Sequence, residues 1–135
     1  MNNLNQLGKF PMDGVKGRET GEFVKITKDT TLIIISGRKN PVLLKFFCSN
    51  DVMNMGQLII PAGGTGPRQT EYDKHKGDAV FYVEEGPATF FMKESEETYH
   101  VEKGEFMFIP EGTEYKVINY TGNIVKCIFI VSPEL

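Results

Sequence analysis

Short apolar runs that return roughly every 8–12 residues constrain this chain more than any other feature. They are Phe23-Val24-Lys25-Ile26, Leu32 to Ile35, Val42 to Phe47, Gln57 to Ile60, Val80 to Val83, Thr89 to Met92, Thr98 to Val101, Phe106 to Ile109, Tyr115 to Ile118 and Val125 to Val131. Between them lies turn material such as Lys28-Asp29, Gly37-Arg38-Lys39-Asn40-Pro41 and Ser49-Asn50-Asp51. No segment keeps an apolar period of 3.6 over three turns, so the pattern predicts an all-β chain of about ten short strands. That many strands in a small domain suit a closed or rolled barrel, which also removes exposed sheet edges.

The 135 residues are enough for one proper core and too few for two. Residues 1–21 lack a sustained period and read as an arm, anchored by Leu4, Leu7, Phe10 and Val15; residues 22–135 read as one barrel domain. The longest apolar runs, Leu32 to Ile35 and Cys127 to Val131, have strand length, far below the roughly 20 residues of a membrane span. With no leader-type segment at Met1 to Gly8, the expected location is cytoplasmic and no membrane partner is expected. The net charge of −3 gives no general pull toward nucleic acid. The local pair Arg38-Lys39 reads as a solvated hairpin tip. Cys48 and Cys127 sit inside strand patterns without metal-ligand spacing, as reduced core thiols do.

Chemistry-bearing side chains gather in Arg68 to His75. If that stretch is extended, Glu71, Asp73 and His75 share one face, since residues two apart on a strand point the same way. Two carboxylates and an imidazole serve as a mixed metal set or as a His-carboxylate acid/base pair. The same residues, interleaved with Lys74 and Lys76, suit a solvent-washed loop equally well. Arg68 is placed to meet a carboxylate, or simply solvent. Phe81, Phe90, Phe106, Phe108 and Phe129 read first as core and second as the lining of a ligand pocket, with Phe81 the candidate ligand contact among them. His100 reads as a surface histidine, and Gly63-Gly64-Thr65-Gly66 as a tight turn, because no Gly-Lys-Ser/Thr follows it.

From Gly66 to Asn119 the chain resembles the cupin superfamily of small jelly-roll barrels. Gly104, Pro110, Gly112 and Asn119 match the second cupin motif, with Tyr115 in the place of its histidine. In the first motif Gly86 fixes the register, putting Ala79 in the glutamate place, His75 in the second histidine place and Asp73 in the first. The resemblance implies a cupin-type double-stranded β-helix. Because only His75 remains of the four family ligands, it implies no tightly held metal, and at most a weakly bound divalent ion.

Two functions follow. In one, the barrel binds a small polar molecule and isomerises, cyclises or cleaves it, with His75 as base, Tyr115 as acid, Asp73 raising the basicity of His75, and Arg68, Glu71 and Phe81 contacting the ligand. Metal-free jelly-roll sugar epimerases are similar in using such groups. In the other, the chain is an interaction module: Phe46-Phe47, Gly56 to Pro61, Val80 to Val83 and Ile109 to Tyr115 are similar to the C-terminal cupin of the centromere protein C family, whose members pair through the sheet. A homodimer is expected in either case.

Overall fold

In the computed structural model, residues 4–37, 41–68 and 71–135 are described. The side chain of Leu4 and the Arg38-Lys39 tip lie outside the described residues. The strands are β1 (Leu32–Ser36), β2 (Val42–Ser49), β3 (Asn54–Ile60), β4 (Thr65–Gly66), β5 (Asp78–Glu85), β6 (Ala88–Met92), β7 (Thr98–Val101), β8 (Phe106–Ile109), β9 (Tyr115–Ile118) and β10 (Val125–Ser132). They form two antiparallel sheets, of order β1-β2-β3-β10-β5-β8 and β4-β9-β6-β7. This is the all-β jelly-roll expected from the sequence. No helix among the described residues is long and apolar enough to cross a membrane.

Strict alternation builds the core. Asn54, Gly56, Leu58 and Ile60 of β3 point inward, as do Val125, Cys127, Phe129 and Val131 of β10, which lies beside it. Their inner faces meet Phe90, Tyr115 and Val117 from the smaller sheet. Phe81 joins the two layers: its ring lies 5.2 Å from Phe90, 5.8 Å from Tyr115 and 6.2 Å from Phe129, in tilted or edge-on contacts that aromatic quadrupoles favour. Cys48 and Cys127 are unpaired thiols, and burial pushes that of Cys127 up to about 12.

Several expectations need correction. Phe23 to Ile26 forms no strand, and Phe23 and Val24 are exposed: apolar alternation does not make a strand without a neighbour to pair with. Thr65–Gly66, read as part of a turn, is strand β4 and pairs with Val117 and Ile118 of β9. A side chain on Gly66 would press on Val42, Leu58 and Ile60, so the glycine there serves close packing. Phe106 and Phe108 are exposed instead of core. In Phe106-Met107-Phe108-Ile109 every position is apolar, which leaves the inward phase undetermined, and Met107 and Ile109 take it.

The arm contains a short helix, α1 (Gly14–Thr20), capped by Asp13, whose carboxylate accepts from the Val15 and Lys16 amides. The helix buries nothing, so Val15 is not an anchor. Leu7 and Phe10 do pack on the core, and Phe10 exchanges two backbone hydrogen bonds with Ser49 at the end of β2, of 2.9 and 2.7 Å.

Asn119 is the polar staple of the fold. Fully buried just past β9, its amide donates to the carbonyls of Ile60, Pro61 and Asn123 at 2.7–3.0 Å, while its carbonyl oxygen accepts from the amide and hydroxyl of Thr121. Every hydrogen-bonding direction of the side chain is used, as burial demands.

Candidate functional site

Backbone pairing brings the polar segment to β9. Asp73 and Tyr115 exchange both backbone hydrogen bonds, at 2.8 and 3.0 Å, and the Gly112 amide donates to the His75 carbonyl at 3.0 Å. Residues 73–75 are thereby held against the turn before β9, and the imidazole of His75 turns inward. Its Nε2 lies 2.5 Å from the Tyr115 hydroxyl and 3.7 Å from Asp73 Oδ2. Asp73 also meets Arg68 Nε at 3.8 Å, and Arg68 Nη1 binds Glu71 at 2.9 Å.

These groups form one end of a cavity of about 390 Å³ between the sheets. Ile34, Leu44, Phe46, Leu58, Phe81 and Phe129 supply its apolar wall; Leu7 from the arm and Leu135 flank it; Arg68, Asp73, Lys74, His75 and Ser36 supply the polar part. Such a mixture, mostly apolar with a few convergent polar groups, is the usual composition of a small-molecule site, and the volume lies within the roughly 300–1,000 Å³ range of such sites.

The sequence candidates separate here. Asp73 and His75 are nearly enclosed and converge, while Glu71 is exposed and reaches the site only through Arg68, which is itself largely exposed. Phe81 is both core and cavity wall. Tyr115 is fully enclosed, and its hydroxyl meets the imidazole directly. His100, exposed on β7, bonds Thr89 at 2.9 Å and belongs to the outer surface. Of the apolar wall, Phe81 and Phe129 were among the sequence candidates and Ile34, Leu44, Phe46 and Leu58 were not, although the inward phase of Ile34 and Phe46 was there to be read.

Burial decides the protonation states. Removal from water pulls the His75 imidazole below its usual value of 6.5; Asp73 pulls it up and Arg68 adds to the fall, and the net direction is downward. The expected gain in basicity from Asp73 is therefore outweighed, and the ring is neutral at pH 7. Burial, with smaller contributions from Asp73 and Cys127, pushes the Tyr115 phenol well above 10, so it stays protonated. Hydroxyl and ring share one hydrogen bond whose donor depends on the imidazole tautomer.

These residues do not fit the three-histidine, one-glutamate metal set of the cupin motifs. Ala79 offers no donor atom, a protonated Tyr115 is a poor ligand, and among the described residues no group of three His, Cys, Asp or Glu converges.

The sequence matches the family described as Cupin domain over residues 57–131, and the chain belongs to that family. No curated protein matches it significantly. Solved structures agree on the fold. An RmlC-like cupin from Shewanella frigidimarina is 15% identical with a TM-score of 0.65, over 83% of this chain and 92% of that one. The polyketide cyclase RemF from Streptomyces resistomycificus is 15% identical with a TM-score of 0.64, over 82% and 80%. A cupin domain from Bordetella pertussis is 23% identical with a TM-score of 0.58, over 71% and 98%.

Proposed function

We propose that the protein binds a small, largely apolar molecule in its barrel, with one polar group of the ligand at the His75 end, and that His75 accepts a proton from it and returns it. The observation that carries this reading is the nearly enclosed imidazole in the wall of a mostly apolar cavity of about 390 Å³, beside the polar groups of Arg68, Asp73 and Lys74. The step uses the tautomer in which Nε2–H donates to the Tyr115 oxygen, so that Tyr115 holds the ring and the free lone pair on Nδ1 takes the proton. Arg68 and Lys74 balance Glu71 and Asp73, which favours a neutral ligand. Isomerisation, cyclisation and elimination all need such a proton transfer; the likeness to a polyketide cyclase is one of fold alone. Two unpaired thiols suit a reducing compartment, and we place the protein in the cytoplasm.

The test is a panel of small neutral hydroxy, keto and phenolic compounds screened by ligand-observed NMR in D2O, with wild type and His75→Ala. The expected result is a carbonyl-containing binder whose carbon-bound proton next to the carbonyl exchanges for deuterium faster in the presence of wild type and not of the variant. Binding and exchange that persist unchanged in His75→Ala would overturn the reading.

A further inference from the structure

On β1 the inward positions are Leu32, Ile34 and Ser36, because residues two apart on a strand share a side, and the first two belong to the core. Ile34 stands opposite Leu44 and Ser36 opposite Val42, and Ile34, Leu44 and Ser36 all line the cavity. An aliphatic side chain at position 36 would continue that apolar wall. The chain puts a hydroxyl there instead.

The buried polar side chains of this fold have protein partners. Ser49 donates to Asn54 at 2.6 Å, Asn54 reaches the Pro133 carbonyl, Thr89 meets His100, and Asn119 holds three carbonyls. Of the polar groups around the cavity, Arg68, Asp73, His75 and Tyr115 engage one another or Glu71, and Lys74 is exposed. Among the described residues the hydroxyl of half-buried Ser36 has no hydrogen-bond partner. A polar group set in an apolar wall costs free energy unless something bonds it, so this one is left for water in the free protein and for a ligand atom in the complex.

We propose that Ser36 determines specificity by bonding a second oxygen of the ligand, so that the molecule taken is a neutral ketone with a hydroxyl group on its apolar body. The substrate class rests on the proton transfer proposed for His75, which receives the carbonyl end. A serine hydroxyl both donates and accepts, so it satisfies a ligand hydroxyl in either direction. A ketone without the second oxygen displaces the water on Ser36 and returns nothing for it, and binds more weakly for that reason.

The experiment titrates the full chain with α-tetralone, a neutral bicyclic ketone, and with its hydroxylated isomers, one for each free position of the aromatic ring. Ligand-observed NMR in D2O follows binding and, in the same samples, exchange of the protons next to the carbonyl. At least one isomer is expected to bind wild type about fivefold tighter than α-tetralone, the worth of one hydrogen bond between neutral groups. In Ser36→Ala that ratio should fall to about one, and Ser36→Thr, which keeps the hydroxyl, should retain it. The thermal midpoint of Ser36→Ala without ligand should not fall, because no protein hydrogen bond is lost; a clear fall would mark the hydroxyl as structural and overturn the proposal. So would a set in which no isomer is preferred, or a preference that survives in Ser36→Ala, even where exchange still depends on His75. A preference lost in Ser36→Ala together with exchange indifferent to His75→Ala would uphold the Ser36 contact and overturn the proton transfer. Binding of no member of the set would overturn both.

Discussion

His75 Nε2 and the Tyr115 hydroxyl, 40 residues apart in the chain, meet at 2.5 Å inside the barrel. This bond ties the polar segment before β5 to the start of β9, and Asp73 Oδ2 lies 3.7 Å from the same ring nitrogen, with Arg68 beyond it. Tyr115 thus positions the imidazole, and both side chains line the cavity.

Stability should depend on pH through His75. Its folded-state pKa lies below the unfolded value of 6.5, so between the two the unfolded chain holds a proton that the folded chain does not. Stability is full above pH 6.5 and falls as pH is lowered through the window between the two values, by about 1.4 kcal/mol per pH unit at most; below the folded pKa the loss stops growing. Urea unfolding from pH 8 to 4.5 should show this fall, and His75→Asn should flatten it. An unchanged slope in the variant would assign the dependence to other groups.

Gly112→Val should cost more than Tyr115→Phe. Gly112 has φ +78° in the turn before β9, a conformation that a β-branched residue takes at a cost of about 2 kcal/mol, although open space surrounds the missing Cβ. Removing the Tyr115 hydroxyl forfeits one hydrogen bond, worth about 1 kcal/mol. Thermal midpoints should rank wild type above Tyr115→Phe and that above Gly112→Val, with Gly112→Asn tolerated better than valine. Equal midpoints would contradict the ranking.

Asn119→Ala should be among the most damaging polar substitutions. It removes a donor from the carbonyls of Ile60, Pro61 and Asn123, although Pro61 still accepts from the Gly64 amide and Asn123 from the Thr121 hydroxyl, and it takes the acceptor from the Thr121 amide, at a cost of about 2 kcal/mol or more. Asn119→Asp should fail to rescue, because a carboxylate cannot donate to three carbonyls. Chemical denaturation of both variants checks this.

Divalent ions should not stabilise the protein. With Ala79 in the glutamate place and Tyr115 protonated, equimolar zinc, manganese or ferrous ion is expected to leave the thermal midpoint within about 1 °C of that of the metal-stripped protein, since tight binding to the folded state alone raises it. A clear rise that is lost in His75→Ala would show a site that these donors do not suggest.

Much of the fold could be read directly. Strands β7, β8 and β9 begin and end where the apolar runs do, because alternation and turn residues act locally. Pairing is not local. Phe23 to Ile26 has the composition of a strand and no neighbour, whereas Thr65–Gly66 has the composition of a turn and is paired, because Gly66 fits against Val42, Leu58 and Ile60.

For the site, spacing on the segment from Arg68 to His75 was enough to pair Asp73 with His75, since residues two apart on an extended chain face the same way, but it wrongly added Glu71, which stays exposed. The sequence by itself also determined that the metal set of the family is incomplete, since Ala79 and Tyr115 stand in ligand places. It took the packed barrel to turn the imidazole inward to Tyr115 while Glu71 stays in solvent, and to bring Ile34, Leu44, Phe46 and Phe129 into one wall. The direction of the His75 shift was decided there too. An adjacent carboxylate raises an imidazole pKa and burial lowers it, and burial is a property of the packed barrel that no short stretch of sequence contains.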